Sequence, residues 1–173
     1  MALPLFERCD LYSEREVLGI KIAWIPAQEQ NAACMTALRK EIRPTAYRGI
    51  YPGEAIEHFD FSTHQKRDLA KIRDKSDSVF LICAGGAPIG YLIFQRQAAA
   101  LRLHSSYVLR EYQHQGIGKQ AFAMLRSYAQ AHSQDRIVWS CSPITKTPCG
   151  STGVWAVRSF MSIPAMPTRK RIR

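Results

Sequence analysis

The chain has 173 residues, of which 46% are hydrophobic and 22% are charged, and its 24 basic and 14 acidic residues give a formal charge of +10. This length fits a single domain with one core, and the apolar share argues against a chain that is disordered throughout. The apolar runs fall short of the about 18 residues that a membrane span needs, and Glu7 and Asp10 make the N-terminal stretch unlike a secretory signal, so we expect a cytoplasmic protein.

The first half of the chain predicts one strand and several helices. The opening twenty residues show no clear period. Ile20–Ile25 is predicted as a strand that ends at Pro26, and Ala27–Lys40 is predicted as a helix whose pattern stops at Pro44. The polar stretch over residues 53–75 fits one or two surface helices.

A β-hairpin is the clearest prediction in the middle of the chain. Ser78–Ala84 and Ile89–Gln95 are two β-forming runs, and Gly85 and Gly86 lie between them as a short turn signal. Leu101–Leu109 follows as a third strand.

The next segments predict an amphipathic helix and a further strand. Gly116–His132 has apolar residues at helical spacing on one face, and Arg136–Cys141 is again β-forming. The predicted buried positions of the helix are Ile117, Ala121, Met124, Leu125, Tyr128 and Ala129.

The cysteines predict reduced thiols. Their number is odd, and none of their spacings is Cys-x-x-Cys, which disfavours a disulfide framework and a zinc site. We therefore expect no bound metal. The residues are Cys9, Cys34, Cys83, Cys141 and Cys149.

The stretch YVLREYQHQGIGKQ over residues 107–120 carries the strongest chemical signal. It leaves a strand, crosses a polar turn and enters a helix with Gly116 and Gly118 in its first turn. The first amides of a helix have no intrahelical acceptor and lie at the positive end of the helix dipole, and glycines let an anion approach them closely. Gln113 and Lys119 can add side-chain donors. This pattern predicts a phosphate or pyrophosphate cradle.

Two common phosphate-binding motifs do not fit this turn. A P-loop requires Ser or Thr after Gly-Lys, but Gly118 and Lys119 are followed by Gln120. A dinucleotide fingerprint requires a third glycine where this chain has Ala121, and three strands rather than one precede the helix.

The spacing Gln113-x-x-Gly116-x-Gly118 resembles the acyl-CoA signature of the GCN5-related N-acetyltransferases (GNAT). IGYLIF upstream looks like the third strand of that family, and the resemblance covers about residues 20–142. It implies an α/β acyl-CoA N-acyltransferase fold, with a mixed and mostly antiparallel sheet flanked by helices. Residues 1–143 would form this domain.

The resemblance also implies a cosubstrate and a reaction. Backbone groups of Tyr107 and Val108 would pair with the pantetheine arm of acetyl-CoA in a gap between two splayed strands. The pyrophosphate would be held by Gln113, His114, Gln115, Gly116, Ile117, Gly118 and Lys119. An amine, in a small molecule or at a peptide N-terminus, would attack the thioester directly.

Four further residues are candidates for catalysis or acceptor binding. His104 lies three residues before Tyr107, near where members of the family place a base, although a strand histidine is also typical of a hydrogen-bonded surface position. Glu111 lies in the turn, where a solvated carboxylate is the alternative. Tyr47 and Tyr51 would line the acceptor site by analogy of position.

The family pattern ends after Pro143. Residues 144–173 hold six basic residues and no acidic residue, so the first 143 residues carry 18 basic and 14 acidic ones. No tyrosine follows Tyr128, although the family commonly uses a later tyrosine to protonate the departing thiolate. We expect an atypical basic tail and an incomplete C-terminal part of the sheet, with Val154–Ile163 compatible with a short helix or a strand.

A frameshift is one hypothesis for this change, and a divergent tail is the other. If one base is missing near the Pro143 codon, the restored frame can encode a helix with a tyrosine and a Gly-Gly pair. The tail then accounts for most of the basic excess, so charge does not indicate a nucleic-acid partner. The alternatives to an active enzyme are a CoA-binding but impaired or regulatory protein and, less well supported, a basic nucleic-acid-binding protein. A homodimer stays open, and no membrane partner is expected.

Overall fold

In the part of the chain that the structure describes, seven strands form one sheet, and their spatial order follows their order in the chain. A computed structural model of the chain describes residues 15–17, 20–141 and 157–162, and it describes side chains over 21–139. All neighbouring strands are antiparallel except β5 and β6, which are parallel because α4 connects them. The strands are β1 (Arg15–Val17), β2 (Ile20–Pro26), β3 (Asp77–Ala84), β4 (Ala87–Arg96), β5 (Leu101–Val108), β6 (Arg136–Cys141) and β7 (Val157–Ser162).

Helices flank both faces of the sheet. They are α1 (Ala32–Ala46), α2 (Gly53–Glu57), α3 (Phe61–Arg73) and α4 (Ile117–Ala131). From α1, the Arg39 guanidinium lies 5.0 Å from the ring centre of Tyr91, while from α4 the Tyr128 ring lies 4.9 Å from that of Phe94. Tyr91 and Phe94 are three residues apart on β4 and therefore point to opposite faces. This mixed, mostly antiparallel architecture confirms the predicted fold class.

The hairpin prediction is confirmed. Gly85 and Gly86 have φ angles of 55° and 89°, so both central residues of the turn adopt the left-handed conformation that a tight hairpin turn favours. β3 and β4 pair from Asp77 opposite Gln95 to Ala84 opposite Ala87. These two strands form the centre of the core, and Ile82 and Leu92 are fully buried.

The α4 helix is also confirmed, and all six apolar positions predicted for its inner face are buried. The α1 prediction needs correction. The helix begins at Ala32 after a 3-10 turn and continues to Ala46, with Pro44 inside its last turn. Pro44 cannot donate to the Lys40 carbonyl, but only two helical residues follow it, and the Tyr47 N–H still donates to the Arg43 carbonyl at 3.0 Å.

A buried ion pair joins α1 to α3. The Asp68 carboxylate is 1% exposed and accepts hydrogen bonds from the Thr36 hydroxyl at 2.8 Å and from Arg39 Nη2 at 2.6 Å. Removing either partner would leave a buried charge without compensation, so the pair holds the two helices in one arrangement over the sheet.

Within the described residues, the sheet continues past β6 by one short strand. β7 pairs with β6 from Arg136 opposite Ser162 to Cys141 opposite Val157. The open edge of β6 presents N–H and C=O groups that an extended segment of almost any sequence can pair with, so the composition of the tail did not indicate this strand. Of the two interpretations of Val154–Ile163, the strand is the one observed.

Candidate functional site

A gap opens between β5 and β6. β5 pairs with β4 along its full length, from Arg96 opposite Leu101 to Gly90 opposite Val108. Its pairing with β6 covers only residues 101–103, and within the described chain it stops at Leu103 opposite Trp139. The backbone of residues 104–108 therefore lies against a gap on its β6 side.

A β-bulge in β5 coincides with the start of this gap. Ser105 pairs with Ile93, but Leu103 pairs with the next residue, Phe94, which leaves His104 as the extra residue. A bulge bends its strand and strengthens the local twist. The bend accounts for the departure of β5 from β6 at this level.

The turn after β5 presents a series of unpaired amides. His114 and Gly116 have φ angles of 61° and 83°, and two left-handed residues so close together turn consecutive N–H groups toward one side. The first backbone bond of α4 runs from the Gln120 N–H to the Gly116 carbonyl at 3.1 Å. The amides of residues 117–119 consequently have no acceptor within the helix.

Some side chains of the turn donate hydrogen bonds to its own backbone, and Lys119 points to solvent. Gln113 Nε2 donates to the Val108 carbonyl at 3.0 Å, and Gln115 Nε2 donates to the Glu111 carbonyl at 2.8 Å, so both glutamines stabilise the turn. The Ile117 side chain is buried, so only its backbone can contact a ligand. Lys119 is exposed in the first turn of α4.

His104 lies beside a buried carboxylate. Its Nε2 is 3.8 Å from Asp77 Oδ1, and the His104 side chain is 27% exposed whereas that of Asp77 is fully buried. Burial lowers the pKa of His104, the Lys71 and Arg102 charges lower it further, and Asp77 raises it. The imidazole is therefore predominantly neutral at pH 7 and can accept a proton.

Tyrosine side chains line the α1 face next to the gap. The hydroxyls of Tyr47 and Tyr107 are 2.7 Å apart, and the ring of Tyr51 lies 5.3 Å from that of Tyr47. Burial and the Tyr47 hydroxyl raise the pKa of Tyr107, so this phenol is neutral at physiological pH. Glu111, in contrast, is exposed in the 3-10 turn Arg110–Tyr112.

The structure thus brings Tyr47, Tyr51 and Tyr107 together and places His104 at the bulge of the same strand. Sequence reasoning missed Asp77 and Lys71, because no local motif marks them. The register of β3, β4 and β5 brings Asp77 to His104, and Lys71 reaches Asp77 from α3.

Beyond these residues, the described part of the chain has a further pocket, but it has neither a metal site nor a membrane-spanning helix. A cavity of about 370 Å³ lies between the turn Gln97–Ala100, Arg102 and Arg136, at the opposite end of β5 from the amide-rich turn. Over the described residues, no group of three or more potential ligands could hold a metal ion. None of the described helices is long and apolar enough to cross a bilayer.

Comparison with known families identifies the family of the chain. The sequence model of the acetyltransferase (GNAT) family matches residues 36–146. The chain belongs to the GNAT acetyltransferase family. The match ends close to Pro143, where the sequence pattern changes, and it confirms the resemblance inferred from Gln113, Gly116 and Gly118.

Solved acetyltransferases share the fold of this GNAT chain at low sequence identity. The PaiA N-acetyltransferase from Thermoplasma acidophilum, in complex with coenzyme A, is 15% identical with a TM-score of 0.72, covering 82% of this chain and 98% of that one. The ribosomal L7/L12 alpha-N-protein acetyltransferase RimL with coenzyme A is 15% identical with a TM-score of 0.59, covering 79% and 76%.

A third structure is the aminoglycoside acetyltransferase AAC(6')-Iy with a bisubstrate analogue, which is 16% identical with a TM-score of 0.55 and covers 72% of this chain and 82% of that one. Identities this low establish the fold alone. No curated protein matches the sequence.

Proposed function

We propose that this GNAT protein transfers an acetyl group from acetyl-CoA to an amine by direct attack. The observation that carries the proposal is the juxtaposition of an unpaired strand edge, residues 104–108, with the unpaired amides at the start of α4. A linear cosubstrate with a peptide-like arm and a pyrophosphate needs both features side by side. The coenzyme A complexes of PaiA and RimL support this reading.

The turn fits a pyrophosphate. A Cβ built on Gly118 or Gly116 would meet nothing within 4 Å, so open space lies directly against the backbone at both glycines. The Gln113 N–H donates to the Arg110 carbonyl at 3.1 Å. Phosphate oxygens would therefore accept hydrogen bonds from the amides over residues 114–119, and the exposed Lys119 would add a charge. The backbone of Tyr107 and Val108 would pair with the amides of the pantetheine arm.

The chemistry needs a group that removes a proton from the attacking amine. Bound acetyl-CoA supplies an activated thioester, from which the amine takes the acetyl group as the C–N bond forms and the C–S bond breaks. His104 is the proposed base because its lowered pKa keeps it neutral. Since no tyrosine follows Tyr128, water is the proposed proton source for the departing thiolate.

The proposed acceptor is an amine, and its class is not narrowed further. Tyr47 and Tyr51 are proposed to line its site, with Glu111 a weaker catalytic candidate because its carboxylate is exposed. RimL acts on a ribosomal protein and AAC(6')-Iy on an aminoglycoside, so a peptide N-terminus and a small molecule are both compatible with this fold. A cytoplasmic location and a basic tail over residues 144–173 stay predictions from the sequence.

Titration calorimetry of acetyl-CoA into the wild-type protein and into Gly118→Ala tests the cosubstrate. Replacing glycine with alanine in a helix stabilises the fold by about 0.5–1 kcal/mol, but the added methyl group would obstruct the phosphate. We expect weaker acetyl-CoA binding without loss of thermal stability. Gly53→Ala, at another helix start with open space, is the matched control. A wild-type protein that binds no acetyl-CoA would contradict the proposal.

A second candidate function is CoA binding without turnover. It is favoured by the lack of a tyrosine after Tyr128 and by the end of the family match at residue 146. Release of free thiol from acetyl-CoA, measured with spermidine, an aminoglycoside, amino acids and a peptide, separates the two. Binding without thiol release over this panel favours the impaired or regulatory protein.

A further inference from the structure

An unsatisfied carboxylate oxygen lies next to the proposed base. The Asp77 side chain is fully buried, and its Oδ2 accepts an ion-pair hydrogen bond from Lys71 Nζ at 2.8 Å. Within the described part of the protein, its Oδ1 has no hydrogen-bond partner. The nearest basic atom recorded for Oδ1 is His104 Nε2, at 3.8 Å.

A buried oxygen without a partner is costly, so its persistence calls for an explanation. The distance of 3.8 Å is too long for a hydrogen bond, but a small rotation of the imidazole would close it. His104 has room for such a rotation because its side chain is 27% exposed and belongs to a bulge.

We propose that Asp77 is a positioning residue for His104. Its Oδ1 accepts a hydrogen bond from the His104 Nε2–H. This bond favours the tautomer that is protonated at Nε2, and the Nδ1 lone pair is then free for the acceptor amine. When the amine attacks the thioester, its N–H bond breaks and the proton binds to Nδ1, and the Asp77 charge then stabilises the imidazolium. This inference rests on the proposed acetyl transfer.

Lys71 has an opposing role in the same cluster. The charged groups that act on His104 are Lys71 from α3, Asp77 from β3 and Arg102 from β5 itself. The two cations disfavour the imidazolium, and Asp77 is the acid that offsets them. Lys71 also holds the other oxygen of Asp77, so it anchors the carboxylate without using Oδ1.

The test is an NMR titration of the His104 ring in the full chain with Asp77→Asn and Lys71→Gln. Loss of the Asp77 charge is expected to lower the pKa of His104, and loss of the Lys71 charge to raise it, each by about one unit. Nitrogen chemical shifts report the tautomer, which we expect to lose its preference for Nε2–H in Asp77→Asn. Asp135→Asn and Lys66→Gln, both at exposed positions, are the matched controls.

The same variants are then assayed for thiol release with the amine that the wild-type protein accepts. We expect Asp77→Asn to lower kcat with little change in the KM for acetyl-CoA, and the acidic limb of the pH profile to move with the NMR pKa in both variants. An unchanged His104 pKa and tautomer in folded Asp77→Asn would overturn the pairing, and an unmoved pH profile would overturn its role in catalysis. Absence of turnover in the wild type would instead refute the acetyl transfer.

Discussion

The hydroxyl pair of Tyr47 and Tyr107 is the most specific side-chain contact between α1 and the strand edge. At 2.7 Å, one phenol donates to the other, and the Tyr107 ring also contacts Tyr91 on the neighbouring strand. The pair fixes the end of α1 against β5. It therefore holds two side chains of the proposed acceptor site in a fixed arrangement.

Tyr47→Phe is expected to cost about 1 kcal/mol of unfolding free energy, because it leaves the partly buried Tyr107 hydroxyl without its partner. The KM for the amine should rise while acetyl-CoA binding stays unchanged. Urea unfolding and steady-state kinetics measure the two effects. Tyr51→Phe is the control for the stability effect alone, since Tyr51 is 54% exposed and is itself proposed to line the acceptor site. If the double variant lost the sum of the unfolding free energies that Tyr47→Phe and Tyr107→Phe lose singly, the two hydroxyls would not be energetically coupled.

Between elements, the backbone of β5 lies directly against β4 at Gly90. A Cβ at this position would overlap the Tyr107 carbonyl oxygen and lie 3.0 Å from the Val108 Cα. The glycine is therefore needed for space and not for an unusual φ angle. It allows β4 to pair with the part of β5 that forms one side of the gap.

Gly90→Ala is consequently expected to destabilise the fold by about 1–3 kcal/mol, the usual cost of overpacking, and to disturb the backbone at Tyr107 and Val108. Acetyl-CoA affinity should fall in parallel. Gly53→Ala, which meets open space at the start of α2, should lower neither property. Wild-type stability in Gly90→Ala would mean that the strands can separate without cost.

Helices, strands and turns could be predicted from the sequence where a local pattern specifies them. Such local patterns specify the Gly85–Gly86 turn, the apolar face of α4 and the amide-rich turn at Gly116. The bulge at His104 and the position of Asp77 depend on strand register, which is set by contacts far apart in the sequence. β1 was missed, and β7 was only one of two interpretations of its segment, because short edge strands need few specific side chains.

For the whole molecule, three histidines set the response to mild acid. Burial lowers the pKa of His64, His104 and His132, and neighbouring basic side chains such as Arg96 beside His132 lower it further. The unfolded chain, with ordinary histidines near pH 6.5, then binds protons that the folded chain does not.

The stabilisation that the neutral histidines contribute is therefore fully present above pH 6.5. It is lost as the pH falls toward the lowered pKa values of the folded chain. Urea unfolding at pH 7.5, 6.5 and 5.5 measures this, and carboxylates contribute little in that range because they titrate near pH 4. Replacing the three histidines with glutamine should flatten the dependence. Greater stability at pH 5.5 than at pH 7.5 would show that the sign is wrong.

The bulge at His104 has one more consequence. A single inserted residue both separates β5 from β6 and carries the imidazole, so the shape of the proposed cosubstrate channel and the placement of the base have one common origin in this chain. Deleting that residue would restore a regular ladder and remove the proposed base in the same event. A variant that alters cosubstrate access through the bulge of β5 is therefore expected to change the proposed proton transfer as well.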